Sequence, residues 1–478
     1  MNVKMILPAL TEATSPYWRP VKYSLFPPLG LATLAAYLGD EDTVSLQDEH
    51  VERLDLEDTP DLVAIEVYIT SAYRAYEIAD HYRRRGAHVA LGGLHVTSLP
   101  EEALQHADTV FLGPGEDTWP AFVADLRAGR PGTAYRSRVR TLHGQPRPRR
   151  DLIQRRLYLV PNSIVVSRGC PHACDFCYKD AFFRGGKSFY TRAVDDALAE
   201  IHSLPGRHLY FLDDHLLADP HFASALFDGM KGMGRVWQAA ATVRSVLESG
   251  LLEKAAACGL RSLFVGFETL TASSLRQHRK LHNLVTDYDE AVKRIHGLGV
   301  MINGSFVLGM DGDDEAALDR TVEWAITEGI ETATFHILTP YPGTPLHRRL
   351  SDQGRILTHN WDLYDTRHVV FQPARMTPQA LEAAHWRAYR EFYRWSAIRR
   401  GAWTKETWAD RLRHLAYAGA WKKLEPLWAL VIRAKQVSAM LPLLEILLAR
   451  GDTRTPQGAG ARAPDGLVSE PAEPEPAP

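Results

Sequence analysis

The chain has 478 residues, a formal net charge of −3 and 45% apolar residues. That length exceeds one ordinary core, so two or three domains are expected, and the near-neutral charge excludes a general pull toward nucleic acid. Four cysteines, three of them in one short stretch, argue for a reducing, cytoplasmic setting rather than a disulfide framework, and no stretch reaches the roughly 18 uncharged apolar residues of a membrane-spanning helix.

The amino-terminal apolar run is too short for a signal peptide. Strands are expected at 3–8, 43–46, 62–69, 89–91 and 109–112, alternating with helices at 31–38, 72–85, 101–106 and 119–129. This alternation implies an α/β domain over residues 1–130, a doubly wound, flavodoxin- or Rossmann-like parallel sheet that binds ligands beyond the carboxyl ends of its strands. Glycines stand at two such ends, Gly92-Gly93, followed by His95, and Gly113-Pro-Gly115-Glu116. Lacking a Cβ, they either let a bulky ligand approach the backbone or simply make tight turns. The aromatic-rich segment 17–26 lies over that face or forms an ordinary surface loop. Residues 131–160, rich in Arg, Pro, Gly and His, read as a linker without the interleaved aromatics of a nucleic-acid site.

A strand expected at 163–166 runs into Cys170-Pro-His-Ala-Cys174-Asp-Phe-Cys177. Three thiolates so spaced fit three irons of a 4Fe-4S cluster and leave the fourth iron open to a ligand. The alternatives are a structural zinc site or incidental cysteines. Zinc wants a fourth ligand, for which His172 is too close along the chain and Cys258 too far.

With the aromatic Phe176 before its third cysteine and Tyr178 after it, this loop resembles the signature of the radical S-adenosylmethionine (SAM) superfamily. The resemblance implies that SAM chelates the open iron. An external electron donor, flavodoxin or ferredoxin, then drives its cleavage to a 5′-deoxyadenosyl radical, which takes hydrogen from an unreactive carbon. It also implies a partial (β/α)6 TIM-type barrel over 161–375 with the cluster at its C-terminal mouth. Further strands are expected at 208–212, 236–243, 262–267, 302–308 and 332–339. By the same resemblance, Asp213 and Asp214 are candidates for the SAM amino group, although Asp214 alternatively caps a helix. Arg244 offers a fork for the SAM carboxylate or ribose, or is a surface arginine. Gly266 and Glu268 match the family's G-x-E strand, and Pro340–Thr344 its adenine loop. Cys258 reads as an inert buried thiol.

The first domain resembles the cobalamin-binding domain that precedes the barrel in one large radical SAM subfamily. The resemblance rests on Phe26-Pro-Pro-Leu-Gly-Leu31, Gly92-Gly93-Leu-His95 and Gly113-Pro-Gly115-Glu116, and implies cobalamin there. Asp48-Glu-His50 departs from the D-x-H-x-x-G pattern of cobalt-ligating domains, so His50 is not read as a ligand. Residues 376–450 read as a helical cap, with Thr377 capping and Pro378 opening its first helix. They close the substrate cavity or present a basic amphipathic surface to a membrane or lipid-like substrate. The string Tyr364–Phe371 and the helices after it resemble the branch that includes hopanoid methylases, which points to hydrophobic substrates. Residues 451–478 read as a disordered tail.

Three functions follow. The first is a cobalamin-dependent radical SAM C-methyltransferase acting on a small-molecule or lipid-like substrate. The second is a radical cyclisation, oxidation or rearrangement without methyl transfer. The third is a non-catalytic iron–sulfur protein. Tyr23, Tyr178, His215 and His336 are all candidates for proton transfer.

Overall fold

The computed structural model describes residues 1–11, 24–248, 250–284, 287–423 and 425–449. Most of the aromatic segment, including Tyr23, and the tail 451–478 lie outside the described residues. The first sheet has six parallel strands: β1 (Asn2–Leu7), β2 (Thr43–Asp48), β3 (Leu62–Glu66), β4 (His88–Gly92), β5 (Thr109–Leu112) and β6 (Ala134–Arg136), in the order β2-β1-β3-β4-β5-β6. Central strands such as β3 and β5 are apolar along their length and buried on both faces, as a helix-covered parallel sheet requires. The order reverses between β1 and β3, which makes a switch-point crevice at their carboxyl ends. Gly86, at φ +89°, ends the helix Ala72–Arg84 as expected.

Two readings of this half change. The helix expected at 101–106 spans Pro100–Ala103, and a further short helix, Leu94–Ser98, precedes it as a separate element because Pro100 can open a helix but cannot continue one. Residues 134–136, read as part of a linker, pair with β5 in register Val110↔Ala134 and extend the sheet. A three-residue edge strand carries too little periodicity to announce itself.

The second sheet runs β7 (Ser163–Ile164), β10 (His208–Phe211), β11 (Val236–Thr242), β12 (Leu260–Glu268), β13 (Met301–Leu308) and β14 (Thr332–Ile337), all parallel and neighbours in that order. Six βα units wound one way make an open, partial barrel. Between β7 and β10 the chain inserts β8 (Ser167–Gly169), antiparallel to β9 (Phe189–Thr191), and the cysteines lie between these two strands.

After the barrel, residues 361–370 return to the first domain. Trp361, Tyr364 and Val370 join its core, and Trp361 Nε1 donates to Glu102 Oε2 at 3.1 Å. Thr377 then accepts from Ala380 N at 3.1 Å and caps the helix Pro378–Phe392, as the sequence predicts. Helices Trp408–Lys423, Glu425–Arg433 and Leu441–Leu448 cover the amino-terminal ends of the barrel strands. His208 N donates to Glu445 Oε1 at 3.1 Å, and Val236 packs on Tyr417 and Leu448. The helical region therefore seals the end of the barrel away from the thiol loop and does not roof the mouth. Among the described residues no helix is long and apolar enough to cross a membrane.

Candidate cofactor and substrate site

The thiol loop is held from three sides. Gly169, at φ +80°, lets the chain turn out of β8; a Cβ there would sit 1.9 Å from Ser188 O, so only glycine fits. Cys170 N donates to Ser188 O at 2.9 Å. Asp214 accepts from Gly169 N at 3.0 Å and from the Tyr178 hydroxyl at 2.9 Å, so one carboxylate ties both ends of the loop to the carboxyl end of β10. Asp175, inside the loop, is held by His278 Nδ1 at 2.8 Å and by Arg349. Phe176 packs against the barrel core, edge-on to His278.

Cys170 is a buried and Cys174 and Cys177 are half-buried free thiols, and Cys177 feels the charge of Cys170 and Cys174 that of Cys177. Burial pushes the Cys174 thiol up to about 12, against which Lys280 acts, and pushes Cys177 up, against which Lys179 acts. Three soft sulfur donors with ammonium groups beside them suit an anionic iron–sulfur cluster, so the residues fit that group. Among the described residues, the donor atoms of Cys170, His172 and His215 lie within 4.8 Å of one another, a group that includes neither Cys174 nor Cys177. His172 stacks on His282 with centroids 3.7 Å apart. Burial, helped by Lys179 and Lys280, brings His172 down to about 4, so the ring is neutral at pH 7.

The barrel mouth divides the remaining candidates. Glu268 ends β12 at φ +65°, a left-handed backbone that a non-glycine residue adopts only under constraint, and its buried carboxylate pairs with Lys280. Gly266 makes room for that pair: a Cβ there would meet Glu268 Oε1 at 2.6 Å and Lys280 Nζ at 3.1 Å. Asp213 is a correction. It is 3% exposed, and both its oxygens face the chain at Val166 and Ser167, with the Ser167 hydroxyl at 2.5 Å. Its contacts brace the chain that leads into the loop. Asp214 is also no helix cap; Asp219 caps that helix. Arg244 is half exposed and turns its guanidinium to Glu248 one helical turn on, which supports the surface reading of it. His336 Nδ1 lies 3.1 Å from Thr366 Oγ1.

On the facing domain, Gly92, Gly93, Gly113, Gly115 and Glu116 line one cleft with Gly30, Glu66 and, from the barrel side, Arg168 and Phe182. A Cβ at Gly92 would come 3.3 Å from Phe111 Cβ and one at Gly115 3.5 Å from Leu34, while Gly93 crosses Val67 at φ +110°. Glycines at the ends of β4 and β5 keep this cleft clear of side chains, so a bulky cofactor can come close to the backbone there. Glu116 pairs with Arg168 across the domains. Burial pushes the Glu66 carboxyl up, and the Tyr68 hydroxyl donates to it at 3.2 Å. His95 is the exception: it lies outside this cleft, 2% exposed, with Nε2 donating to Glu102 at 2.9 Å. His50 donates from Nδ1 to Asp48 at 2.7 Å and accepts from Leu10 N at Nε2, so both nitrogens are engaged inside the protein.

Against Tyr178, which follows the third cysteine, lies a further cavity of about 350 Å³, lined also by Tyr68, Thr70, His95, Tyr341 and Asp365. Lys179, Lys280 and Arg168 escaped the sequence reading because a lone basic residue carries no local pattern; their places are set by contacts distant along the chain.

Comparison with known proteins agrees with this arrangement. Residues 22–123 match the family model of the B12 binding domain, and residues 164–325 that of the radical SAM superfamily. The chain is 30% identical to the bacteriochlorophyllide d C-12(1)-methyltransferase of Chlorobaculum tepidum, over 71% of this chain and 76% of that one. It is 27% identical to the hopanoid C-2 methylase of Rhodopseudomonas palustris, over 70% and 66%. Its fold resembles the radical S-adenosylmethionine methyltransferase TsrM of Kitasatospora setae, solved with cobalamin and a 4Fe-4S cluster, with TM-score 0.61, 18% identity, and coverage of 91% and 99%. The chain thus belongs to the radical SAM enzymes whose barrel follows an amino-terminal B12-binding domain.

Proposed function

We propose that the chain is a cobalamin-dependent radical SAM methyltransferase that alkylates an unactivated carbon of a small, largely apolar molecule. The observation that carries this reading is the 350 Å³ cavity, walled on one side by Tyr178 of the thiol loop and on the other by Tyr68 and Thr70 of the first domain. Cys170, Cys174 and Cys177 would hold a cluster able to supply the electron for SAM cleavage, and Gly92, Gly93, Gly113 and Gly115 would seat a corrinoid able to supply the methyl group. Lys280 holds the Glu268 carboxylate at the barrel mouth, where it serves the polar part of SAM. Asp214 fixes Tyr178 as one wall of the substrate space. The aromatic rings of Tyr68, Tyr341 and Tyr364 exclude water from it.

Anaerobic reconstitution followed by absorption spectra and product analysis tests the reading. Bound cluster and corrinoid, with both S-adenosylhomocysteine and 5′-deoxyadenosine formed, is the expected result. 5′-Deoxyadenosine without S-adenosylhomocysteine would instead establish radical chemistry without methyl transfer.

A further inference from the structure

The largest cavity described here, about 790 Å³, is at the other end of the barrel. Tyr210, Gln238, Phe264, Asn303 and Thr334 form its floor on the inward faces of the strands. Its walls are Leu415, Ala420, Trp428, Met440, Leu444 and Leu447 of the carboxy-terminal helices. Leu443 and Ile446 edge it and remain 52% and 69% exposed. The same helices expose Leu430, Leu412 and Trp408 by more than half, as the helix just before them, Trp395–Trp403, does Trp395 and Trp403. A water-soluble surface rarely carries so many large apolar groups together unless something covers them.

Charge says what covers them. From Trp395 to Ala449 the sequence has nine Lys and Arg against four Asp and Glu; Lys405 and Arg413 are turned inward, and the other seven still outnumber the acids, in a chain that is net negative. Arg411 lies over the rings of Trp403 and Trp408, at 5.7 and 5.2 Å, and Lys423 over Trp395 at 5.8 Å. Tryptophan beside cations, next to leucine and isoleucine, is the composition of a helical layer that lies in the headgroup region of an anionic bilayer. The chain's own 450–478 segment is acidic, without aromatics and with Leu467 and Val468 as its large aliphatics, a poor cover for such a face.

We propose that this layer docks on an anionic lipid bilayer and that the cavity behind it takes a hydrocarbon chain from that bilayer. The polar floor stops the chain partway into the barrel, since Tyr417 bonds there with Asn303, Ser262 and Gln238. The proposal goes beyond methyl transfer and stands whether or not that reaction is the right one.

The test is flotation of the cluster-loaded, full-length protein with vesicles of phosphatidylglycerol and phosphatidylcholine, beside titration with the fluorescent fatty acid cis-parinaric acid. Flotation with the anionic vesicles, at least tenfold weaker with Leu430→Glu/Ile446→Glu and weaker at high salt, is expected. Parinaric acid should bind one to one and be lost in Ala420→Trp, which still floats. Should the double variant lose its cluster absorbance or circular dichroism, the salt series on the unaltered protein decides. No flotation, flotation indifferent to salt or to the double variant, or a dimer in solution that the double variant splits would overturn the docking. Parinaric acid binding unchanged by Ala420→Trp would overturn the cavity assignment.

Discussion

Lys280 reaches Glu268 across a strand end that carries no side chain at Gly266, so a buried ion pair stands at the barrel mouth with backbone strain behind it. A methyl group at Gly266 would overlap both partners. Gly266→Ala is expected to raise the SAM dissociation constant by tenfold or more while iron content stays unchanged, as read by equilibrium binding and iron assay. Lys280→Met leaves a buried carboxylate unpaired and should cost about 3 kcal/mol in chemical denaturation. Loss of iron in Gly266→Ala would show that the pair serves the thiol loop instead.

Asp214 ties Gly169 N and the Tyr178 hydroxyl to the end of β10. Asp214→Ala should therefore loosen the loop and lower cluster retention several-fold after desalting. Tyr178→Phe, which loses one of the two bonds, should keep the cluster but weaken substrate binding. Equal cluster loss in both would assign the hydroxyl bond the main load.

Gly115 has ordinary backbone angles, and its missing side chain leaves the cleft open, with Leu34 3.5 Å from where a Cβ would be. Gly115→Phe is expected to fold normally, to keep the 4Fe-4S absorbance and to retain at least tenfold less corrinoid. Undiminished corrinoid would move that cofactor out of this cleft.

Glu331 joins the barrel to the helical layer. Its buried carboxylate meets Lys405 and His414 from the carboxy-terminal region and His296 from the barrel side. Burial alone would push this carboxyl up, but Lys405 and His296 together hold it well below the usual range. A carboxyl depressed on folding contributes stability that is complete above its unfolded value, about 4.3, and is lost as pH falls through the folded value. The thermal midpoint should therefore drop steeply below about pH 5. Glu331→Gln should lie lower at pH 7 and fall less steeply on acidification. Parallel curves would show that the pairing carries no net stability.

Much of the site was legible because its ligands are local. The three cysteines fall within eight positions of sequence, and Gly93, Gly115, Gly266 and Glu268 all sit at strand ends, where hydrophobic runs stop and turns begin. What stayed hidden was set at long range. Asp213 looked like a ligand until Val166 and Ser167, 46 or more residues away, proved to occupy it. His95 read as part of a glycine motif, yet Glu102 turns it away from the cleft. The helices after Thr377 were plain in their periodicity, but no local pattern says which end of a barrel they will cover.

The ion pair between Glu116 and Arg168 has a consequence for building new enzymes from this architecture. Arg168 stands two residues before Cys170, and Glu116 ends a glycine turn of the other domain. The halves are therefore not interchangeable cassettes. A graft of a foreign amino-terminal half without an acid at that turn strands a partly buried guanidinium in the glycine cleft, whereas a graft that brings the acid along preserves the seam.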